Sequence, residues 1–277
     1  MSWHTESVDL ASEEAMLHGE LLLPKGEGPF PGAVLCHGMA TDHRAMRPSA
    51  QRLTRKGIAT LTFDFRGHGK GQSILDENVV KDVIAAIEFL RSHPKVAPER
   101  IALVGHSFGA LAAIHAAAEL DDLGALVSLS NAAEINRRLE RLIELPRFGF
   151  MLGLGGLRFS ISLLWMQIRG YRLRMDIKKT LELWDKLNPL NVIENIGAFP
   201  KLFVHCGGDR LVPYEGTLRL YEKARSPKEL LVSKGGFHAS PLFPGKLRGK
   251  WIAWLVSTLT QAKGGSAGFA GEIQIRE

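Results

Sequence analysis

Few features of this 277-residue sequence point to a metal, a disulfide or export from the cell. It has two cysteines, Cys36 and Cys206, and each follows a strand-like apolar run, so we interpret both as buried thiols. No group of cysteines and histidines has the spacing of a zinc site, which argues against a structural metal. The N-terminus lacks the basic and apolar regions of a secretory signal, and we therefore expect an intracellular, cytoplasmic protein.

The sequence also lacks internal repeats and nucleic-acid-binding motifs, so we expect no nucleic-acid partner. Hydrophobic residues make up 45% of the chain and charged residues 23%, as in ordinary globular proteins. The net charge of +6 is concentrated, because residues 131–190 hold eleven Lys and Arg against six Asp and Glu. A basic segment of this kind attracts anionic substrates or lipid surfaces, or is simply a solvated face.

The most informative stretch runs from Arg100 to Ala118. An apolar run of strand length is followed by an Ala- and Leu-rich run of helix length, and Gly105-His106-Ser107-Phe108-Gly109 lies between them. A sharp strand-to-helix turn strains its middle residue, needs small flanking residues and lifts the serine Oγ clear of the sheet. A helix-capping serine is the alternative interpretation. The strand before and the helix after favour a nucleophile.

Strand-like and helix-like runs alternate along most of the chain. This predicts an α/β fold with a mostly parallel, doubly wound sheet and helices on both faces. An antiparallel pair, Glu6–Ser12 and Ala15–Leu23, is added at one edge. The other predicted elements are strands over Pro31–Cys36, Ile58–Phe65, Leu123–Ser130, Lys201–Cys206 and Glu229–Val232, and helices over Met46–Lys56, Asn78–Ser92 and Leu247–Leu259.

We divide the chain into a core, a cap and a tail. The core comprises residues 1–130 and 191–262, the cap is an insertion at residues 131–190, and a glycine-rich, flexible tail follows at residues 263–277.

The cap sequence contains two predicted helices, Arg137–Glu144 and Lys178–Lys186, separated by a glycine-rich apolar stretch. That stretch is just long enough to span a membrane, but Arg158 at its centre and four glycines disfavour a spanning helix. An apolar cap over a pocket fits better. Its candidate substrate contacts are Phe150, Leu154 and Trp165.

Two loops downstream of Ser107 supply the groups that a serine nucleophile needs. Asp209 follows the predicted strand Lys201–Cys206, and His238 follows the next strand. The carboxyl ends of parallel strands lie at one end of the sheet, so these residues are expected to meet Ser107 there. His238 can then take the serine proton while Asp209 orients the imidazole. Taken singly, Asp209 is more often a turn residue and His238 a surface-loop residue, but the order Ser107, Asp209, His238 favours a catalytic group.

These residues, together with three further motifs, resemble the α/β-hydrolase superfamily over about residues 15–130 and 190–260. The further motifs are His37-Gly38, Asp64-Phe65-Arg66-Gly67-His68-Gly69 and Val212-Pro213. The resemblance implies a serine hydrolase with Ser107 as nucleophile, His238 as base and Asp209 as acid. It also implies an oxyanion hole made by the backbone N–H groups of Met39 and Phe108. The nearer likeness is to carboxylesterases of the cinnamoyl-esterase and acylglycerol-lipase type, whose Asp-x-Arg-Gly-x-Gly turn and capped core match this chain.

Several polar residues near these motifs have less direct interpretations. Arg66 and His68 are expected to hold their loop by hydrogen bonds. His106 is expected to be a packing residue, and His205 and His115 to be core or surface residues.

We therefore expect hydrolysis of carboxylic esters through an acyl-enzyme on Ser107, without a cofactor or metal. A medium or long acyl group, or an aromatic one, would contact the cap, His37 and Gly38. Alternatives are an acyl-CoA thioesterase, motivated by the basic cap, a serine aminopeptidase, and a non-catalytic binding module of the same fold. The expected partners are a small ester or thioester and, weakly through the cap, a membrane surface. Either a monomer or a homodimer is compatible with the sequence.

Overall fold

A computed structural model of the protein describes residues 3–70, 73–133, 174, 176–261 and 273–275. Within these ranges the chain forms nine strands and six helices. The strands are β1 (Trp3–Ser12), β2 (Ala15–Pro24), β3 (Phe30–Cys36), β4 (Ala59–Phe63), β5 (Val96–His106), β6 (Ala125–Leu129), β7 (Lys201–Cys206), β8 (Lys228–Ser233) and β9 (Ile273–Ile275). The helices are α1 (Arg47–Thr54), α2 (Val79–Ser92), α3 (Phe108–Glu119), α4 (Ile177–Lys186), α5 (Glu215–Lys223) and α6 (Lys246–Thr260).

All nine strands form one sheet in the order β1-β2-β4-β3-β5-β6-β7-β8-β9. The β1–β2 and β2–β4 pairs are antiparallel, and every other neighbouring pair is parallel. The mostly parallel sheet with an antiparallel N-terminal pair at one edge is therefore confirmed. The strand β5 lies at its centre, where Leu103 pairs with Val34 on one side and Leu126 on the other.

Helices cover both faces of the sheet, which explains why its central strands are apolar at consecutive positions. Val34 and Leu103 belong to the core packed under α2 and α3, whereas Leu35 and Val104 belong to the core under α1 and α6. Alternate side chains of one strand enter opposite cores because the side-chain period of a strand is two. Each such fully buried Val or Leu stabilises the fold by about 1.5–3 kcal/mol.

Two elements differ from the sequence-based expectation. The tail was expected to be unstructured, and this is wrong for Ile273–Ile275, which forms β9 and pairs in parallel with β8 through Leu231 and Ile273. The edge of β8 offers free backbone groups to an Ile-Gln-Ile segment of high strand propensity. The helix α5, which packs Leu220 into the core, has no counterpart in the sequence-based assignment.

The predicted cap falls largely outside the described residues. Among its predicted features, the helix Arg137–Glu144 and the contacts Phe150, Leu154 and Trp165 lie there, as does the stretch weighed as a membrane span. The division into core and cap remains a prediction. Within the described ranges, no helix has the length and apolar character needed to cross a bilayer.

The chain is anchored where it returns from this region. The Arg174 N–H donates to the Gly67 carbonyl at 2.7 Å, and the Arg174 carbonyl accepts from the Leu75 N–H at 3.0 Å. The helix α4 follows at Ile177–Lys186, as predicted from Lys178–Lys186, and its Trp184 Nε1 donates to the Ala132 carbonyl at 3.3 Å. These bonds connect Arg174 to the chain after β4 and connect α4 to Ala132, so the described residues on either side of 134–173 are held in place.

Candidate active site

Ser107 occupies a strained turn between β5 and α3. Its φ is +54°, a conformation that costs a non-glycine residue about 1–3 kcal/mol, and its N–H donates to the Leu129 carbonyl at 2.9 Å. A Cβ on Gly105 would lie 2.4 Å from the Gly109 carbonyl oxygen, and a Cβ on Gly109 would lie 2.4 Å from the His37 carbonyl oxygen. The turn therefore requires glycine on both sides of Ser107, as the sequence predicted.

Asp209 and His238 are brought together from separate loops. His238 Nδ1 lies 2.7 Å from Asp209 Oδ2, and Asp209 Oδ1 accepts from the N–H groups of Leu211 and Val212 at 2.9 and 3.0 Å. Burial by itself raises the pKa of Asp209, but the hydrogen bonds from His205 and His238 outweigh it and hold this pKa below its ordinary value. The carboxyl group is therefore ionised at neutral pH, in position to orient His238.

His106 links the His238 loop to the turn that carries Ser107. His106 Nε2 lies 3.1 Å from the His238 carbonyl oxygen, so Nε2 carries a hydrogen and donates it. The two rings pack with their centroids 5.0 Å apart. Burial, and to a lesser degree the neighbouring His238, lowers the pKa of His106 to about 3. His106 is thus a packing residue, as expected, and also a neutral donor that anchors the loop.

The turn after β3 is braced against the turn after β4 by two histidines. His37 Nδ1 donates to the Gly38 carbonyl at 2.8 Å, and its Nε2 accepts the Phe65 N–H at 3.1 Å. In the opposite direction, His68 Nε2 accepts the Ala40 N–H at 3.3 Å. Burial lowers the pKa of both rings, that of His68 to about 3, and so preserves the Nε2 lone pairs that these bonds require. Each turn therefore contributes a histidine that accepts a backbone N–H of the other turn.

This geometry changes the role expected for His37. The sequence analysis gave His37 and Gly38 as substrate contacts, but the His37 side chain is fully buried and both of its ring nitrogens bind backbone groups. His37 therefore shapes the turn in place of contacting a substrate. Gly38 packs against the turn that carries Ser107, since a Cβ on Gly38 would lie 3.1 Å from His106 Nδ1. Met39 follows in the braced turn, and Phe108 begins α3.

The family of this protein is evident from its similarity to known proteins. The model of a family described as "Alpha/beta hydrolase family" matches residues 33–247, well over half of the chain. The chain belongs to the alpha/beta hydrolase family. All the residues discussed above, from the His37 turn to the His238 loop, lie within the matched range.

Solved structures with this alpha/beta hydrolase fold include an esterase and a monoacylglycerol lipase. The Pyrococcus furiosus esterase Pf2001 superposes with a TM-score of 0.69 at 23% identity, covering 93% of this chain and 91% of its own. A Paleococcus ferrophilus monoacylglycerol lipase superposes with a TM-score of 0.64 at 22% identity, covering 93% and 100%. In sequence, the uncharacterized protein YfhR of Escherichia coli O157:H7 is 22% identical over 243 residues, 85% of this chain and 74% of YfhR. At these identities the likeness establishes the fold.

In this alpha/beta hydrolase the loop after β4 is held by a buried ion pair. Arg66 Nη2 donates to Asp82 Oδ1 at 2.7 Å, Arg66 Nε lies 3.1 Å from both carboxylate oxygens, and the Arg66 N–H donates to Oδ2 at 3.0 Å. Ser12 Oγ donates to Asp82 Oδ1 at 2.7 Å. The expectation that Arg66 and His68 hold this loop is confirmed. Asp82 was missed, although an acidic residue beside Val79 and Val83 on the apolar face of α2 was a signal for a buried partner.

One cluster in the described part of the chain has the spacing of metal ligands. Ligand atoms of Asp42, His43 and Asp64 lie within 4.8 Å of one another. The carboxylates already have protein partners, since Asp64 Oδ1 accepts from His43 Nδ1 at 2.7 Å and Asp42 Oδ2 accepts from Arg44 Nε at 2.7 Å. These contacts explain the cluster as a hydrogen-bonded loop that supports the turn after β3.

Proposed function

We propose that this alpha/beta hydrolase is a serine esterase that cleaves carboxylic esters through an acyl-enzyme on Ser107, with His238 as general base and Asp209 as its orienting acid. The observation that carries the proposal is the 2.7 Å contact between His238 Nδ1 and Asp209 Oδ2. A carboxylate on Nδ1 selects the tautomer whose Nε2 is free to accept a proton. Ser107 lies in the strained turn that His106 links to the same loop.

The proposed reaction has two stages, the formation of the acyl-enzyme and its hydrolysis. Ser107 Oγ attacks the ester carbonyl carbon while His238 Nε2 takes the hydroxyl proton, which gives a tetrahedral intermediate. The intermediate collapses, the C–O bond to the alcohol breaks, and His238 returns the proton to the departing alcohol. Water repeats the attack on the acyl-enzyme with His238 again as base, and this step releases the carboxylic acid and restores Ser107.

The backbone N–H groups of Phe108 and Met39 are the proposed donors to the oxyanion. Phe108 is the first residue of α3, where backbone N–H groups have no partner within the helix. Met39 belongs to the turn that His37 and His68 brace through buried, neutral rings. Donors fixed before the substrate binds stabilise the transition state most effectively, by about 3–4 kcal/mol each.

We further propose that the substrate carries a medium or long acyl group, or an aromatic one. The side chain of Phe237, next to His238, is 57% exposed, and that of Phe243 is 55% exposed. Their rings lie 5.6 Å apart and form an apolar surface beside the proposed base. The esterase and the monoacylglycerol lipase named above are consistent with this choice of substrate class.

The proposal is tested with initial rates on p-nitrophenyl esters from acetate to palmitate. The wild type is expected to show a maximum at one acyl length, and Ser107→Ala to lower kcat by about 10⁴-fold or more. Ser92→Ala is a matched control, because this serine lies at the end of α2 and its hydroxyl donates to the Phe89 carbonyl. It is expected to keep wild-type kinetics.

The assignment of the nucleophile also has a test that is independent of the substrate. A fluorophosphonate probe is expected to label Ser107, and to leave the Ser107→Ala variant unlabelled. Ester hydrolysis by Ser107→Ala near the wild-type rate would refute the proposal, as would a wild type that neither hydrolyses esters nor reacts with the probe.

An acyl-CoA thioester is the second candidate substrate, because residues 131–190 carry an excess of five basic residues. Electrostatic attraction of this kind is screened by salt. Raised salt is then expected to increase KM for acyl-CoA while kcat and the KM for a neutral thioester stay constant. A KM for acyl-CoA that does not change with salt would exclude this candidate.

A further inference from the structure

A second histidine contacts the carboxylate of the proposed triad. His205, on β7, has a fully buried side chain, and its Nε2 lies 3.3 Å from Asp209 Oδ2 and 3.1 Å from the Val212 carbonyl oxygen. Its Nδ1 lies 2.7 Å from the hydroxyl of Thr217, a buried residue of α5. One imidazole therefore connects β7, the Asp209 loop and α5.

The partners of His205 fix the position of its hydrogen. A carboxylate oxygen and a carbonyl oxygen are both acceptors, so Nε2 carries a hydrogen, which it shares between the Val212 carbonyl at 3.1 Å and Asp209 Oδ2 at 3.3 Å. The Thr217 hydroxyl can donate or accept, and it satisfies Nδ1 in either role. The orientation of the ring is thus set by buried groups on two elements, the Asp209 loop and α5.

With this donor, the Asp209 carboxylate is saturated. Oδ1 accepts from two backbone N–H groups, and Oδ2 faces His238 at 2.7 Å and His205 at 3.3 Å. An ionised carboxylate has about four lone-pair sites, and these four contacts occupy them. We propose that His205 is a positioning residue, which holds Asp209 Oδ2 toward His238 and shares its negative charge. It thereby sets the pH at which His238 becomes an active base, and this inference rests on the proposed function.

The sign of the effect follows from the shared charge. Without the His205 donor, more of the negative charge on Oδ2 acts on His238 and stabilises its protonated form. The acid limb of the pH profile of kcat/KM reports the loss of a proton from the base of the free enzyme. Because the protonated form of His238 becomes more stable, this limb moves to higher pH. A lost hydrogen bond to a charged group corresponds to a shift of about one pH unit.

The other titratable groups around this site keep their charge over the pH range of the assay. Among the described residues these are His106, which packs on the His238 ring, and Asp209 itself. Burial lowers the pKa of His106 to about 3, so it stays neutral. The pKa of Asp209 lies below its ordinary value despite burial, because His205 and His238 donate to it, so it stays ionised. A shift of the acid limb then reports on the contact between His205 and Asp209.

The experiment compares His205→Met, which removes the donor, with His205→Gln, whose amide nitrogen can donate from nearly the same place. Two midpoints are measured for each variant: that of the acid limb of kcat/KM, and that of the His238 ring in an NMR titration of ¹³C-histidine-labelled protein carrying Ser107→Ala. His205→Met is expected to raise both midpoints by about one pH unit. His205→Gln is expected to restore them, and Thr217→Val, which frees the ring, to raise them by less.

Midpoints equal to those of the wild type in folded His205→Met and Thr217→Val proteins would overturn the inference and leave His205 as a core residue. If His205→Met does not fold, the His205→Gln and Thr217→Val proteins decide the question by the same two midpoints. A wild type without ester hydrolysis or probe labelling would instead contradict the proposed function. The NMR titration does not depend on turnover and would still decide whether His205 acts on His238 through Asp209.

Discussion

Replacing Gly109 by alanine tests how closely the nucleophile turn and the turn after β3 must approach. The added Cβ would lie 2.4 Å from the His37 carbonyl oxygen and 2.5 Å from the Cys36 carbonyl oxygen. Ordinary contact begins at 3.4 Å, so α3 and the end of β3 must separate by about 1 Å. The atoms in the way belong to the backbone and cannot rotate aside as a side chain can.

This separation lies between Phe108 and Met39, the two residues whose N–H groups are the proposed oxyanion donors. A displacement of about 1 Å in such a site lowers the rate on the order of 100-fold. Overpacking a core position also costs about 1–3 kcal/mol of stability. Gly109→Ala is therefore expected to lower kcat about 100-fold with a much smaller change in KM, since the donors act mainly on the transition state.

The assay is steady-state hydrolysis of the p-nitrophenyl ester that the wild type prefers, together with thermal unfolding followed by circular dichroism. Gly235→Ala is the matched control, because a Cβ there meets open space although the residue belongs to the loop that carries His238. It is expected to keep wild-type kinetics and stability. A Gly109→Ala protein with wild-type kcat would refute the claim that the donors depend on this contact.

Three further perturbations follow from the site. Asp209→Asn is expected to lower kcat about 10⁴-fold, measured by ester hydrolysis, because an amide favours the wrong tautomer of the imidazole that it orients. Asp82→Asn is expected to cost about 3–5 kcal/mol in urea unfolding, because the buried charge of Arg66 loses its buried carboxylate and keeps the half-exposed carboxylate of Asp76, 2.9 Å from Nη1. His43→Leu removes a 2.7 Å contact with Asp64. Despite burial, this contact raises the pKa of His43 and lowers that of Asp64. The loss in melting temperature is therefore expected to be largest between about pH 4 and pH 6.5, where both side chains are charged. It is expected to become smaller at higher pH, as His43 loses its charge, and at lower pH, as Asp64 loses its charge.

Each of these expectations has a control or a contrary result. Lys81→Met breaks an exposed ion pair with Glu119, and it is expected to cost less than about 1 kcal/mol, which sets the scale for Asp82→Asn. An equal cost for both variants would contradict the buried-pair account. For His43→Leu, a loss in melting temperature that is the same at pH 5.5 and pH 9 would mean that packing, and not charge, is lost. Substantial hydrolysis by Asp209→Asn would remove Asp209 from the triad.

The buried strands were the part of the fold that the sequence predicted best. β3 and the Ile101–Val104 part of β5 are apolar at consecutive positions because helices cover both faces of the sheet there. A short, continuous apolar run of this kind is typical of a strand buried on both faces. α5 was missed because its nine residues, Glu215–Lys223, include four charged side chains and few apolar ones. β9 was missed because three residues carry little local signal and their pairing depends on the free edge of β8.

The triad could be proposed from the sequence because topology predicts that its members lie at one end of the sheet, and the contact between His238 and Asp209 agrees with this. Ser107, Asp209 and His238 each follow a parallel strand, and the carboxyl ends of such strands meet at one end of the sheet. The contacts of His205 and Asp82 were not predictable in the same way. Whether a buried polar residue finds a partner depends on distances between elements far apart in the chain, such as the 3.3 Å between His205 and Asp209 Oδ2.

The anchor at Arg174 has a consequence for how this enzyme could acquire new substrates. Both of its bonds, to Gly67 and Leu75, use backbone atoms, and so they do not depend on which side chains the chain carries there. Residues 134–173 can therefore be randomised in a directed-evolution library, or exchanged for a segment of another length, without removing the bonds that fix the point of return. A change in the number of residues between the two anchored points adds a closure entropy of about 0.6 kcal/mol for each doubling when the added segment is flexible. On the prediction that these residues form a cap over the site, selectivity can diversify in this way while the proposed triad is inherited unchanged.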